Sequence, residues 1–60
     1  MKIAVVDDDA IFLKSLVDKV TSYPDWGGEL PLILPFCSAL DFLLYFESNH
    51  VDIVILDVVM

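Results

Sequence analysis

Arginine is absent from this chain. Its only bases are Lys2, Lys14 and Lys19 against ten acids, for a formal net charge of −7. Gripping a phosphate backbone takes clustered cations, so no direct nucleic-acid contact is expected from this segment. Cys37 is the single cysteine, which excludes an internal disulfide and four-cysteine zinc sites. A lone thiol of this kind is expected to be a small, buried apolar residue. Long apolar runs are missing as well. Leu30 to Cys37 is interrupted by Pro31 and Pro35, and Phe42 to Phe46 is shorter still, so neither approaches the roughly 18 residues of a membrane span. Met1 to Val6 meets Asp7, Asp8 and Asp9 before a signal-peptide core of about 7–15 apolar residues can form. The chain is therefore read as cytoplasmic and unprocessed, without membrane contact.

What the sequence has in excess is apolar character. Hydrophobic residues make up 58 % of it and the mean hydropathy is +0.78, above the roughly 45–50 % usual for soluble domains. A chain of this size buries only about 60 % of its unfolded surface, so apolar surface awaiting a partner is expected.

Ile3 to Val6 is a short β-branched run ended by acids, the pattern of a strand buried on both faces. From Ala10 to Val20, Phe12, Leu13, Leu16, Val17 and Val20 recur at helical spacing, and Asp9 is placed to cap that helix. Tyr23 to Glu29 holds both glycines and Pro24, predicting a loop in which Trp26 anchors either the loop or a partner. Leu32 to Leu34, bracketed by Pro31 and Pro35, reads as a second strand at a sheet edge. Ser38 is placed to cap a second helix through Phe46, with Asp41 in its first turn. That helix is apolar around much of its circumference, so cover on more than one side is expected, with Phe42, Tyr45 and Phe46 in the core. Ser48-Asn49-His50 breaks it, His50 reading as a solvated loop residue, and Val51 to Val59 forms a third strand around Asp57. Val51, Ile53 and Ile55 are expected on one face of it, and Val54, Leu56 and Val58 on the other.

This order predicts an α/β fold with a three-stranded parallel sheet. If strand one lies in the middle, the strand order is 2-1-3 and right-handed crossovers put the two helices on opposite faces. Ligands of such sheets bind beyond the carboxyl ends of the strands. Asp7 and Asp8 follow strand one and Asp57 lies near the end of strand three, so the three carboxylates are expected to converge. Packed like charges repel and persist most easily around a cation. Mg²⁺ suits such a set, taking hard oxygen ligands and often joining a few carboxylates to a phosphoryl group. A carboxylate can itself attack phosphorus and form an acyl phosphate.

Two segments carry a family resemblance. Ile3-Ala4-Val5-Val6-Asp7-Asp8-Asp9 resembles the first strand and acidic pair of two-component receiver domains, and Val51 to Met60 resembles their phosphoacceptor strand. The spacing between them and Cys37-Ser38-Ala39-Leu40-Asp41-Phe42-Leu43 fit as well. The resemblance implies that residues 1–60 are the first half of a flavodoxin-like receiver fold, ending before its remaining strand–helix units. It further implies that Asp57 is the nucleophile towards a phosphohistidine on a sensor histidine kinase. Asp8 would ligate Mg²⁺ directly, Asp7 through water, and the Val59 backbone carbonyl would be a further ligand. The switch threonine or serine and the phosphate-binding lysine of the family have no counterpart here. The long loop and Phe36-Cys37-Ser38 resemble, more distantly, regulators with a LytTR output domain.

Two other functions are compatible with the residues. A noncatalytic half-receiver would use the same surfaces only for binding. A haloacid dehalogenase-type phosphatase would use the acid-x-acid spacing of Asp7 and Asp9, but Ile11 stands where that family usually has threonine, and Asp57 would have no role. An apolar third strand at a sheet edge also predicts homodimerisation or other self-association near that strand.

Overall fold

The computed structural model describes residues 1–56. Strand β1 (Lys2–Val6) is followed by helix α1 (Ala10–Thr21), a 3₁₀ turn at Pro24–Trp26, strand β2 (Leu32–Phe36), helix α2 (Ala39–Phe46) and strand β3 (Ile53–Leu56). The strands form one parallel sheet in the order β2-β1-β3, so the α/β class and the strand order are as expected.

The core follows from the pleat of β1. Ile3 and Val5 point to one face and pack with Leu13 of α1, while Ala4 and Val6 point to the other and pack with Phe42 of α2 and Val51. Each helix thus covers one face of the same central strand, which is why every residue from Ile3 to Val6 is buried. Both helices lie over β1 and β2, and neither lies over β3.

Pro35, expected to end the second strand, lies inside β2 opposite Val5. An edge strand tolerates it because only one side of its backbone enters the ladder. Val51 is a second correction. It packs with Ala4, Val6 and Phe42, on the face opposite Ile55, which reaches the Ile3–Val5–Leu13 cluster. It precedes β3, and a bend at Asp52 separates it from the strand's alternation.

Helix α2 begins as expected, with Ser38 Oγ accepting from Asp41 N–H at 3.4 Å. Its cover is thinner than expected. Phe42 is 8 % exposed and Tyr45 half-buried, but Leu40 is 63 % exposed and Leu43, Leu44 and Phe46 are exposed too. Phe46 stacks on Phe42 at 5.6 Å without being buried itself. Phe12 likewise lies outside the covered stripe of α1, where Leu13, Leu16, Val17 and Val20 meet the sheet. Trp26 anchors its own loop: Nε1–H donates to Val20 O at 2.6 Å, and the ring packs at the α1 side of the core. No helix among the described residues is long and apolar enough to cross a membrane.

Candidate functional site

Three consecutive acids leave the carboxyl end of β1, and each has different surroundings. Asp7 extends the ladder by one step, its N–H donating to Phe36 O at 3.1 Å. Its side chain lies beneath the turn and the residue is 2 % exposed. Oδ1 accepts from Asp9 N–H at 2.9 Å, a local side-chain bond that turns the chain out of the sheet. Oδ2 is buried and has no hydrogen-bond partner among the described residues. Asp8 is exposed. Asp9 caps α1, its Oδ1 accepting from Ile11 N–H at 3.0 Å and Phe12 N–H at 3.3 Å, as expected.

Buried polar atoms are nearly always paired, so the free oxygen of Asp7 needs a reason. Leaving such an acceptor unsatisfied costs about 1–3 kcal/mol, and more when it is charged. Among the described residues no further donor reaches it, and a hard cation carrying its own waters suits an oxygen of this kind. The carboxylate of Asp8, the next residue, is exposed and could offer a second hard oxygen. Asp7 and Asp8 therefore fit a divalent cation.

Asp57 and Val59 lie outside the described residues. Among the described residues no group of three or more His, Cys, Asp or Glu side chains is gathered to hold a metal. The strand leading to Asp57 is described, however. Leu56, the residue before Asp57, lies opposite Val6, the residue before Asp7.

Cys37 is exposed in the short link between β2 and α2, which corrects the expectation of a buried thiol: the side chain follows the end of β2, beyond the layer that the helices cover. His50 is exposed, as expected of a loop residue, but it has a partner, with Nε2 2.8 Å from Asp52 Oδ1. Asp52 was given no role by motif or periodicity. Its other oxygen, Oδ2, accepts from Lys2 N–H at 2.7 Å. That backbone donor, followed by the His50 contact, holds the Asp52 carboxyl below its ordinary value. Read from sequence, Asp52 lies within the third strand, and no local signal marks these contacts. These residues stand at the amino ends of the strands, about 16 Å of strand away from Asp7.

No family model, curated protein or solved structure matches the chain.

Proposed function

We propose that this chain is the β1-α1-β2-α2-β3 half of a flavodoxin-like receiver domain that accepts a phosphoryl group on Asp57 from a sensor histidine kinase in the cytoplasm. The observation that carries the reading is the register of β3 on β1. Leu56 lies opposite Val6, so the described part of β3 ends beside the residue before Asp7, and this supports a reading in which Asp57, next in sequence, acts at the carboxyl end of the sheet, where parallel sheets bind ligands.

In the proposed reaction an Asp57 carboxylate oxygen attacks the phosphorus of a phosphohistidine. The P–N bond breaks with its electron pair going to the imidazole, which takes up a proton, and an aspartyl phosphate forms. Asp7, Asp8, Asp57 and the Val59 carbonyl would hold Mg²⁺, whose contribution is to offset negative charge on the transferring group. Asp7 is fixed by its Oδ1 bond to Asp9 N–H, leaving Oδ2 free for that role. Asp9, committed to its helix cap, takes no part.

Incubation with acetyl phosphate and Mg²⁺, followed by mass spectrometry under conditions that preserve acyl phosphates, tests the assignment. Label is expected on Asp57. Label that survives Asp57→Ala would refute it.

A second reading, a noncatalytic interaction module, is favoured by one observation: Leu40, Leu43 and Leu44 of α2 and Ile53, Val54 and Leu56 of β3 are all exposed. The open edge of β3 also supports homodimer formation by pairing of that strand with its copy, an isologous contact that closes on itself. A chain that self-associates but takes no label under the conditions above would favour this reading.

A further inference from the structure

We infer that Asp52 is a positioning residue that sets the register of β3 against β1, and so, if the phosphoacceptor reading holds, the placement of Asp57. The need for such a device comes from the strand itself. Ile53, Val54, Ile55 and Leu56 are apolar on both faces, and Ile53, Val54 and Leu56 are exposed. A one-residue slip exchanges the faces of a strand, and it is opposed strongly only where one face is apolar and buried and the other is not. With no helix over β3, packing discriminates weakly between registers.

Asp52 discriminates by direction. Its N–H donates to Lys2 O at 2.9 Å, and its Oδ2 accepts from Lys2 N–H at 2.7 Å, so one residue of β3's approach engages both backbone groups of one residue of β1. The other oxygen meets His50 Nε2 at 2.8 Å and ties down the preceding turn. Sliding β3 two residues one way would carry Asp52 beyond Lys2, the first residue of β1, and out of the ladder. Sliding it two residues the other way would bring the carboxylate beside Ala4, which is fully buried, and burying a charge there is costly. Val51, seated in the cluster with Ala4, Val6 and Phe42, anchors the turn, but apolar packing is not directional.

Disulfide trapping in a Cys37→Ser background tests the assignment. Val6→Cys with Leu56→Cys reports the native register, since these residues are opposite. Ala4→Cys with Leu56→Cys, and Val6→Cys with Val54→Cys, report slips of two residues, because such pairs are about 8 Å apart in the native register, beyond disulfide reach. With Asp52 intact the native pair should oxidise fastest. Asp52→Ala should reduce its advantage about fivefold, the size of one net hydrogen bond. Asp52→Asn, whose amide oxygen still accepts from Lys2 N–H, should restore it. An unchanged advantage in Asp52→Ala would overturn the proposal, as would failure of Asp52→Asn to restore it. If Asp52→Ala loses its far-UV signal while Asp52→Asn stays folded in the native register, the proposal is supported; if both unfold, it is overturned. The trapping does not depend on phosphoryl transfer. Absence of label on Asp57 with Asp52-dependent trapping refutes the function alone, and label with Asp52-independent trapping refutes the clamp alone.

Discussion

Replacing Asp7 by asparagine separates the cost of the buried acid from its use. In the folded chain one Asp7 oxygen is bonded to Asp9 N–H and the other is buried with no partner among the described residues. Asparagine keeps an acceptor for Asp9 N–H and removes the charge, although its amide N–H groups remain short of partners. The relief is thus the difference between a charged and a neutral unsatisfied group, on the order of 1–2 kcal/mol. For a domain of this size 1 kcal/mol moves the melting midpoint by about 4–8 °C, so Asp7→Asn should melt at least that much higher in EDTA. A ligand at a hundred times its dissociation constant stabilises by about 2.7 kcal/mol, so Mg²⁺ should raise the wild-type midpoint by about 10–20 °C and the variant's far less. Thermal melts followed by circular dichroism across a Mg²⁺ titration give both numbers. Asp8→Asn is the control: Asp8 is exposed, so its loss should weaken the Mg²⁺ response without stabilising the metal-free fold. If Asp7→Asn melts lower than wild type in EDTA, or keeps the full Mg²⁺ response, the reasoning about the free oxygen is wrong.

Phe42 is the buried centre of the α2 side of the core, with Phe36 and Phe46 against its ring. Phe42→Ala should cost about 3–5 kcal/mol, as much as a core of this size supplies, and the far-UV spectrum should show the chain largely unfolded at 25 °C. Because the Asp52 carboxyl is held below its ordinary value of 3.8, its contribution is fully present above that value and is lost as pH falls through the lower folded one. Acid titration of stability should therefore be shallower for Asp52→Ala than for wild type below about pH 3.8, and parallel curves would count against the bonds to Lys2 and His50. Sedimentation over a concentration series should show self-association that Leu56→Lys, at an exposed position of β3, weakens; a monomer at every concentration would remove β3 as an interface.

The sequence made the core legible because β1 has an unambiguous pattern. A continuous β-branched run ended by acids has one comfortable place, the middle of a parallel sheet, and the helices on either side of it carry stripes of the right period. The caps were legible for the same local reason: Asp9 and Ser38 act on N–H groups within three residues. Burial was misread at Cys37, Phe12 and Phe46 because it depends on what covers a face, and apolar character alone does not say that anything does. Val51 was assigned to the wrong face because alternation was carried back through a bend that no local signal marks.

At the acidic end the residue types were legible but their division of labour was not. The repulsion expected among Asp7, Asp8 and Asp57 gave no reason to single out one carboxylate. The fold does so through the tight turn out of β1, which places Asp7 under the chain and leaves Asp8 outside. The bond from Lys2 N–H to Asp52 joins residues fifty apart. Nothing local could announce it, since Lys2 N–H comes within reach of Asp52 only once β3 has chosen its place beside β1. On the proposed reading the two acids at opposite ends of the sheet are linked by that choice: β3 is apolar on both faces, and the bonds of Asp52 to Lys2 supply a directional contact where the strand begins.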